Sequence, residues 1–407
     1  MSSRVPLNTF LLTAGISILA ALLTALPYYS DSYPMLQRLT TLAHTIKPPP
    51  ARGLGFRNMT SINGTSMPSD WHAGPDDSWH GKITAEGPFK PEKDRYHLYI
   101  GLFCPFAHRA NLVRELMQLE KYAGIDISIV KPYPKGNDQG WPGWRFNHAD
   151  EEGEAYAGAT EDKLFGSRFM HEVYFKADKE YKGRYSVPVL WDRQLGTIVN
   201  NESAELLRDL QTAFDGLLPE EVAGLGLYPE GLREEIDGIA EWMGDALNTG
   251  VYKAGFAPDQ ATYTANVIPP FAALNKLEKL AHAHGGPYLL GRQMTEIDIR
   301  AYATIVRFDT VYHQHFKCNL GEIRHVYPVL NNWLKGMYWE HEAFRTTTDF
   351  RHIKENYTKS HTDINPKSIT PVGPWPDVEG GYEGDWGLLT PGGIGMMEVV
   401  EGERKLG

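Results

Sequence analysis

At 407 residues, 42% of them hydrophobic and 12% aromatic, the chain is long enough for about two globular domains plus tails. A net charge of -11 without a dense basic stripe excludes nucleic acid as the main partner. Two cysteines, Cys104 and Cys318, exclude a disulfide framework and fit a reducing, cytoplasmic setting. The glycosylation triplets at Asn58, Asn63, Asn201 and Asn356 carry meaning only in a secreted chain.

Residues 1–30 form an apolar N-terminal segment. From Asn8 to Pro27 the chain is nearly all apolar or small, with Arg4 ahead of it, at the short edge of the about 20 residues that span a membrane. Between Tyr33 and Ser69 stand Arg38, Lys47, Arg52 and Arg57 without an acidic residue. The expectation is a membrane anchor or an organelle-targeting segment, mitochondrial in the second case, with a secretory signal peptide or an inert extension as the remaining alternatives. Residues 31–90 read as linker and extension, through Pro48-Pro49-Pro50 and a Gly/Ser/Asn-rich run to Gly81.

The first ordered domain is expected over 91–220. Tyr96, Leu98 and Ile100 alternate with His97 and Tyr99, a strand pattern. Past Cys104, Leu112, Val113, Leu116 and Leu119 recur at helical spacing, and Ile125, Ile127 and Ile129 alternate again, completing a strand–helix–strand unit of a parallel sheet. Residues 132–158 read as a long loop. Tyr185 to Trp191 predicts a strand and Gly196 to Asn200 its hairpin partner; Pro188 then needs an edge, a bulge or a cis bond. Asn201-Glu202-Ser203 opens a helix carrying Leu206, Leu207 and Leu210. The order β-α-β then β-β-α predicts a thioredoxin-like α/β domain. Residues 221–366 turn helical almost throughout and predict an all-α second domain, in which Thr295 and Asp298 form a capping box. The Gly/Pro-rich stretch 367–407 reads as a poorly ordered tail.

Three pieces carry chemistry. Cys104 sits at a strand-to-helix turn with Pro105 at the first helical position, where backbone N–H groups and the helix dipole favour thiolate, so its pKa is expected to fall. Ala107 takes the place of a second cysteine, so a redox cycle needs a thiol from outside. Val187-Pro188, if cis, presents the Val187 backbone to an extended peptide. At Glu202-Ser203 the exposed N–H groups and the Ser203 hydroxyl suit a carboxylate, and Glu202 an ammonium; plain helix capping is the alternative. A ligand with a peptide body, a thiol and an α-amino-acid end matches all three, and that ligand is glutathione. The pairs His313/His315 and His282/His284 lie in helical or turn sequence where such side chains diverge, and no metal is expected. Cys318 reads as packed.

Cys-Pro-Phe-Ala-His-Arg from Cys104, Gly143-Trp144-Arg145-Phe146, Val187-Pro188-Val189-Leu190-Trp191-Asp192 and Asn200-Asn201-Glu202-Ser203 together resemble the Xi-class glutathione transferases, the glutathionyl-hydroquinone reductases. The second half is similar to them too, through Gly250 to Phe256, Arg307 to Tyr312, His315 to Asn319 and Ser360 to Pro366. The resemblance implies Cys104 as nucleophile; Trp144, Val187, Pro188, Glu202 and Ser203 as glutathione contacts; and Tyr252 and Tyr357 as the quinol-pocket tyrosines. It also implies glutathione as co-substrate. A homodimer is the default expectation. Phe106 and Phe165 depart from the Trp and Tyr common in that class, which bears on substrate range. Alternatives are an omega-like thiol transferase acting on mixed disulfides or dehydroascorbate, and a non-catalytic binding or regulatory module of the same fold.

Overall fold

The structure, a computed structural model, describes residues 79–133, 143–149 and 155–394. The apolar segment 8–27, most of the 31–90 linker, parts of the 132–158 loop and the last residues of the tail lie outside the described residues. No helix among the described residues is long and apolar enough to cross a membrane.

A four-stranded sheet carries the first half. Strands β1 (Tyr96–Ile100), β2 (Asp126–Ile129), β3 (Val189–Asp192) and β4 (Thr197–Asn200) lie in the order β2-β1-β3-β4. β2 runs parallel to β1, and β3 and β4 are antiparallel. The helices α1 (Pro105–Leu116) and α2 (Leu119–Ala123) make the crossover; α3 (Met170–Ala177) precedes the hairpin, and α4 (Ser203–Thr212) packs on α1.

The alternation of β1 predicts one wet face, yet all five of its residues are buried. His97 and Tyr99 point to a face covered by polar chain: His97 bonds Asp126 Oδ1 at 2.7 Å and Ser128 Oγ at 2.9 Å, and the Tyr99 hydroxyl donates to Asp162 Oδ1 at 3.0 Å. Polar residues inside are tolerated because each is paired. The ends of the central strands β1 and β3 are tied by Arg95, whose Nε donates to Asp192 Oδ2 at 2.9 Å. The other Asp192 oxygen takes the N–H groups of Gln194 and Leu195, which shapes the hairpin turn that Gly196 completes at φ +64°.

The second half is helical: α5 (Glu220–Ala223), α6 (Arg233–Met243), α7 (Gly250–Gly255), α8 (Gln260–His284), α9 (Glu296–Ile305), α10 (Ile323–Val326), α11 (Pro328–Glu340), α12 (Glu342–Thr346) and α13 (Phe350–Ser360). Two π-type turns, Gly244–Asn248 and Phe308–Tyr312, interrupt the regular helices near α7 and after α9. The capping box at α9 forms as the sequence predicts, and Asp298 is buried. Helix α9 packs on α1, so the two halves share a core.

Residues 367–394 are not a loose tail. Trp386 is buried against Gly286, where an added Cβ would stand 2.3 Å from the indole. Asn332 and Glu383 exchange side-chain and backbone hydrogen bonds at 2.8 and 2.6 Å. The buried Glu278 carboxylate accepts from Val329 and Leu330 N–H at the start of α11 and from Gly392 N–H. Glycine and proline content misleads here, because a few anchored side chains fix a segment that has almost no regular structure of its own.

Candidate active site

β1 ends at Ile100 and the chain turns through Gly101–Phe103 into α1, with Cys104 as its N-cap. The Sγ accepts the Ala107 N–H at 3.5 Å, and the thiol donates to the Val187 carbonyl at 3.5 Å. Of the two cysteines, Cys104 is half-buried, whereas Cys318 is fully buried and its thiol is pushed up to about 12 by burial. The expected fall of the Cys104 pKa is not what the geometry gives. Burial pushes the thiol up, and this outweighs the Ala107 and Phe106 N–H groups and the Arg307 and Arg109 guanidiniums, which pull it down.

The Val187–Pro188 bond is cis, and β3 begins only at Val189, so Pro188 does not interrupt the ladder. No group among the described residues accepts from the Val187 N–H. Glu202 is the N-cap residue of α4, but its side chain makes no cap bond, so plain capping does not account for it. The Ser203 and Ala204 N–H groups have no partner among the described residues. Ser203 is buried, and its Oγ accepts from Arg109 Nη1 at 3.4 Å. Trp144 stacks in tilted fashion on Phe103 with ring centroids 4.4 Å apart.

From the helical half, Tyr252 in α7 and Tyr357 in α13 join hydroxyl to hydroxyl. Tyr312 extends the chain, its hydroxyl 3.0 Å from that of Tyr357. Burial, reinforced by the neighbouring phenols, holds Tyr252 and Tyr357 well above the ordinary phenol pKa, so both are neutral donors. The Phe106 ring has the Arg109 guanidinium 5.1 Å over its centroid and the Tyr252 ring 6.2 Å away. Phe165, by contrast, packs on Trp191 and beneath Lys176.

Three residues of this cluster were given no role of their own by the sequence, and a fourth, His108, stood there only as part of the Cys104 motif. Tyr312 is one. Arg307 is another: its Nε donates to Phe103 O at 2.9 Å, Nη2 to Leu102 O at 3.0 Å, and Nη1 to Ala303 O at 2.6 Å and to His108 Nδ1 at 3.0 Å. His108, buried and held well below its usual pKa, bonds Thr347 Oγ1 through Nε2 at 2.9 Å. Asn248 takes Arg109 Nη2 at 3.0 Å and donates to Thr304 Oγ1 at 2.8 Å.

Two family models match: "Glutathione S-transferase, N-terminal domain" over residues 103–213 and "Glutathione S-transferase, C-terminal domain" over 271–336. "Glutathione S-transferase omega-like 2" of Schizosaccharomyces pombe is 49% identical over 292 residues, covering 72% of this chain and 89% of that one. A solved Xi glutathione S-transferase from Phanerochaete chrysosporium superposes with a TM-score of 0.69 at 47% identity, covering 74% of this chain and 97% of that one. The chain is a Xi-class glutathione transferase. The "Glutathionyl-hydroquinone reductase YqjG" of Escherichia coli is 43% identical over 296 residues, covering 73% of this chain and 84% of that one. Its glutathione-bound structure aligns with a TM-score of 0.66 at 39% identity, covering 79% of this chain and 97% of that one. The Xi-class glutathione transferases are enzymes, so the alternative of a non-catalytic module falls.

His315, His361 and His282 are each hydrogen-bonded within the fold. His315 Nε2 and His361 Nδ1 lie 3.1 Å apart, and His282 Nε2 lies 3.0 Å from the Leu389 carbonyl. Burial lowers His315 to about 4 and His361 to about 3. In the unfolded chain both take up protons below about pH 6.5. Their contribution is therefore complete above about pH 6.5 and is lost as the pH falls toward 4. His361→Asn should accordingly lose less thermal stability than the wild type between neutrality and about pH 5; equal losses in melting experiments at the two pH values would contradict this.

Proposed function

We propose that this Xi-class transferase removes glutathione from glutathionyl-hydroquinones through a mixed disulfide on Cys104. The observation that carries the reading is the juxtaposition of the one half-exposed thiol with the neutral Tyr252–Tyr357 phenol pair across Phe106. The Val187 N–H, beside the cis Pro188 and without a partner among the described residues, would take a peptide backbone. The Ser203 and Ala204 N–H groups suit the γ-glutamyl carboxylate, and Glu202 its ammonium. Trp144, beside Phe103, would border the same ligand.

In the reaction, Cys104 thiolate attacks the glutathione sulfur of the conjugate. The sulfur–ring bond breaks, its electron pair goes to the ring carbon, and that carbon gains a proton, so the ring is reduced by two electrons. Tyr252 and Tyr357 hydrogen-bond the ring hydroxyls and assist the proton transfer. A second glutathione thiolate attacks the Cys104–glutathione disulfide and leaves as oxidised glutathione, returning the Cys104 thiolate. Ala107 stands where a resolving cysteine would be, which is why the second thiol comes from outside.

The rival reading, a thiol transferase acting on mixed disulfides, uses the same thiol but has no need of the phenols. Parallel assays decide between them. The value of kcat/KM for a glutathionyl-hydroquinone should exceed that for a glutathionylated peptide by about 100-fold, ~2.7 kcal/mol of transition-state stabilisation. Equal or reversed values would remove the quinol assignment.

A further inference from the structure

Arg307 is fully buried, lies some two hundred residues from Cys104 in sequence, and meets no carboxylate among the described residues. Its four hydrogen bonds end on neutral acceptors: the carbonyls of Leu102, Phe103 and Ala303, and Nδ1 of a neutral His108. A buried guanidinium without a counter-ion is costly, and carbonyl dipoles offset only part of that cost. Two of those carbonyls belong to the residues immediately before Cys104, so the uncompensated charge stands behind the turn that presents the thiol.

We propose that Arg307 is the positioning residue of the nucleophile: it grips the Leu102–Phe103 turn and supplies the fixed counter-charge of the Cys104 thiolate. The inference rests on Cys104 being the reacting thiol. When the thiol loses its proton to solvent, its negative charge lies in the field of the Arg307 cation, and the fork holds the turn that carries the sulfur in one geometry. His108 completes the arrangement. Its Nδ1 lone pair faces Arg307 and its Nε2 faces Thr347, a bonding pattern open only to the neutral ring.

The charged and titratable groups that act on Cys104 are Arg109 from α1, and Arg307, Tyr252 and Tyr312 from the helical half. Arg109 also acts on the thiol, but it shares its charge with Glu202, and both phenols are neutral near physiological pH. Arg307 is therefore the group whose removal leaves the thiolate least supported. The same guanidinium draws down the Tyr312 and Tyr357 phenols, so it faces both halves of the site.

The test is a titration of the free enzyme, followed by ultraviolet thiolate absorbance with Cys104→Ser as the blank, which also removes any signal of Cys318. Arg307→Met should move the Cys104 titration up by about one pH unit, about tenfold less thiolate below the pKa. Arg307→Lys should keep the wild-type titration, because the charge remains. It should nevertheless lower kcat at least about fivefold with KM for glutathione nearly unchanged, because one ammonium cannot hold both carbonyls. An Arg307→Met titration at the wild-type position overturns the proposal. If Arg307→Met does not fold, Arg307→Lys decides alone, and wild-type kcat in that variant overturns it. The titration needs no turnover, so it stands apart from the reaction assigned above: retained activity in Cys104→Ser would sink the nucleophile itself.

Discussion

Cys104→Ser should reduce turnover of a glutathionyl-hydroquinone by at least about a thousandfold, ~4 kcal/mol of barrier, while glutathione still binds. A serine hydroxyl at the N-cap of α1 keeps the cap bond to Ala107 and the neighbourhood of the Val187 carbonyl, so the local structure has no reason to change. What disappears is the sulfur–sulfur chemistry, since a hydroxyl cannot form the mixed disulfide. The groups assigned to glutathione, at Val187, Ser203, Ala204 and Glu202, do not involve the thiol. Calorimetric affinity for glutathione should therefore stay within about threefold of wild type, about 0.65 kcal/mol. Residual turnover near the wild-type rate would overturn the nucleophile, and joint loss of turnover and binding would mean that the substitution had disturbed the fold.

The largest expected effect on stability lies in the helical half, at Asp298. Its buried carboxylate accepts from Thr295 N and Leu289 N at 2.9 Å each, from Trp333 Nε1 at 3.0 Å and from Thr295 Oγ1 at 3.2 Å. One side chain thus caps α9, fixes the 285–295 connection and ties α9 to the indole of α11. Asp298→Ala strands four donors in a site without water access and should cost about 3–5 kcal/mol. Asp298→Asn keeps an acceptor oxygen and should cost about half as much. Urea unfolding of both variants checks this, and a loss below about 1 kcal/mol in the alanine variant would show that the donors find other partners.

Local chemistry made much of the site legible in the sequence. Cys104-Pro105 marks a turn because proline fits the first helical position, and Thr295 with Asp298 marks a helix start because two donors are satisfied reciprocally. Position-dependent burial was harder to read. The helix terminus predicts a lowered Cys104 thiol pKa, but burial of the thiol reverses the balance. His97 and Tyr99 resemble solvent-facing residues until Asp162 and Ser128 arrive from outside the strand. Tyr312, Arg307 and Asn248 take no role from the sequence for a related reason. Each sits in or next to a π-type turn, where helical periodicity carries no signal, and each acts on a partner far away in the chain. The C-terminal stretch shows the converse, a composition that reads as disorder but is held by Trp386, Glu383 and the Gly392 N–H.

The Arg307 fork reads main-chain oxygens rather than side chains. The bonds to positions 102 and 103 therefore survive any residue there that leaves the turn intact, since every residue brings the same carbonyl. The arginine has no such latitude, because no other side chain offers its planar set of donors. Tolerance to substitution is thus lopsided across this contact. This contact alone leaves the identity of the residues before the sulfur open, and the constraint it does impose is lodged at one codon in the other half of the gene.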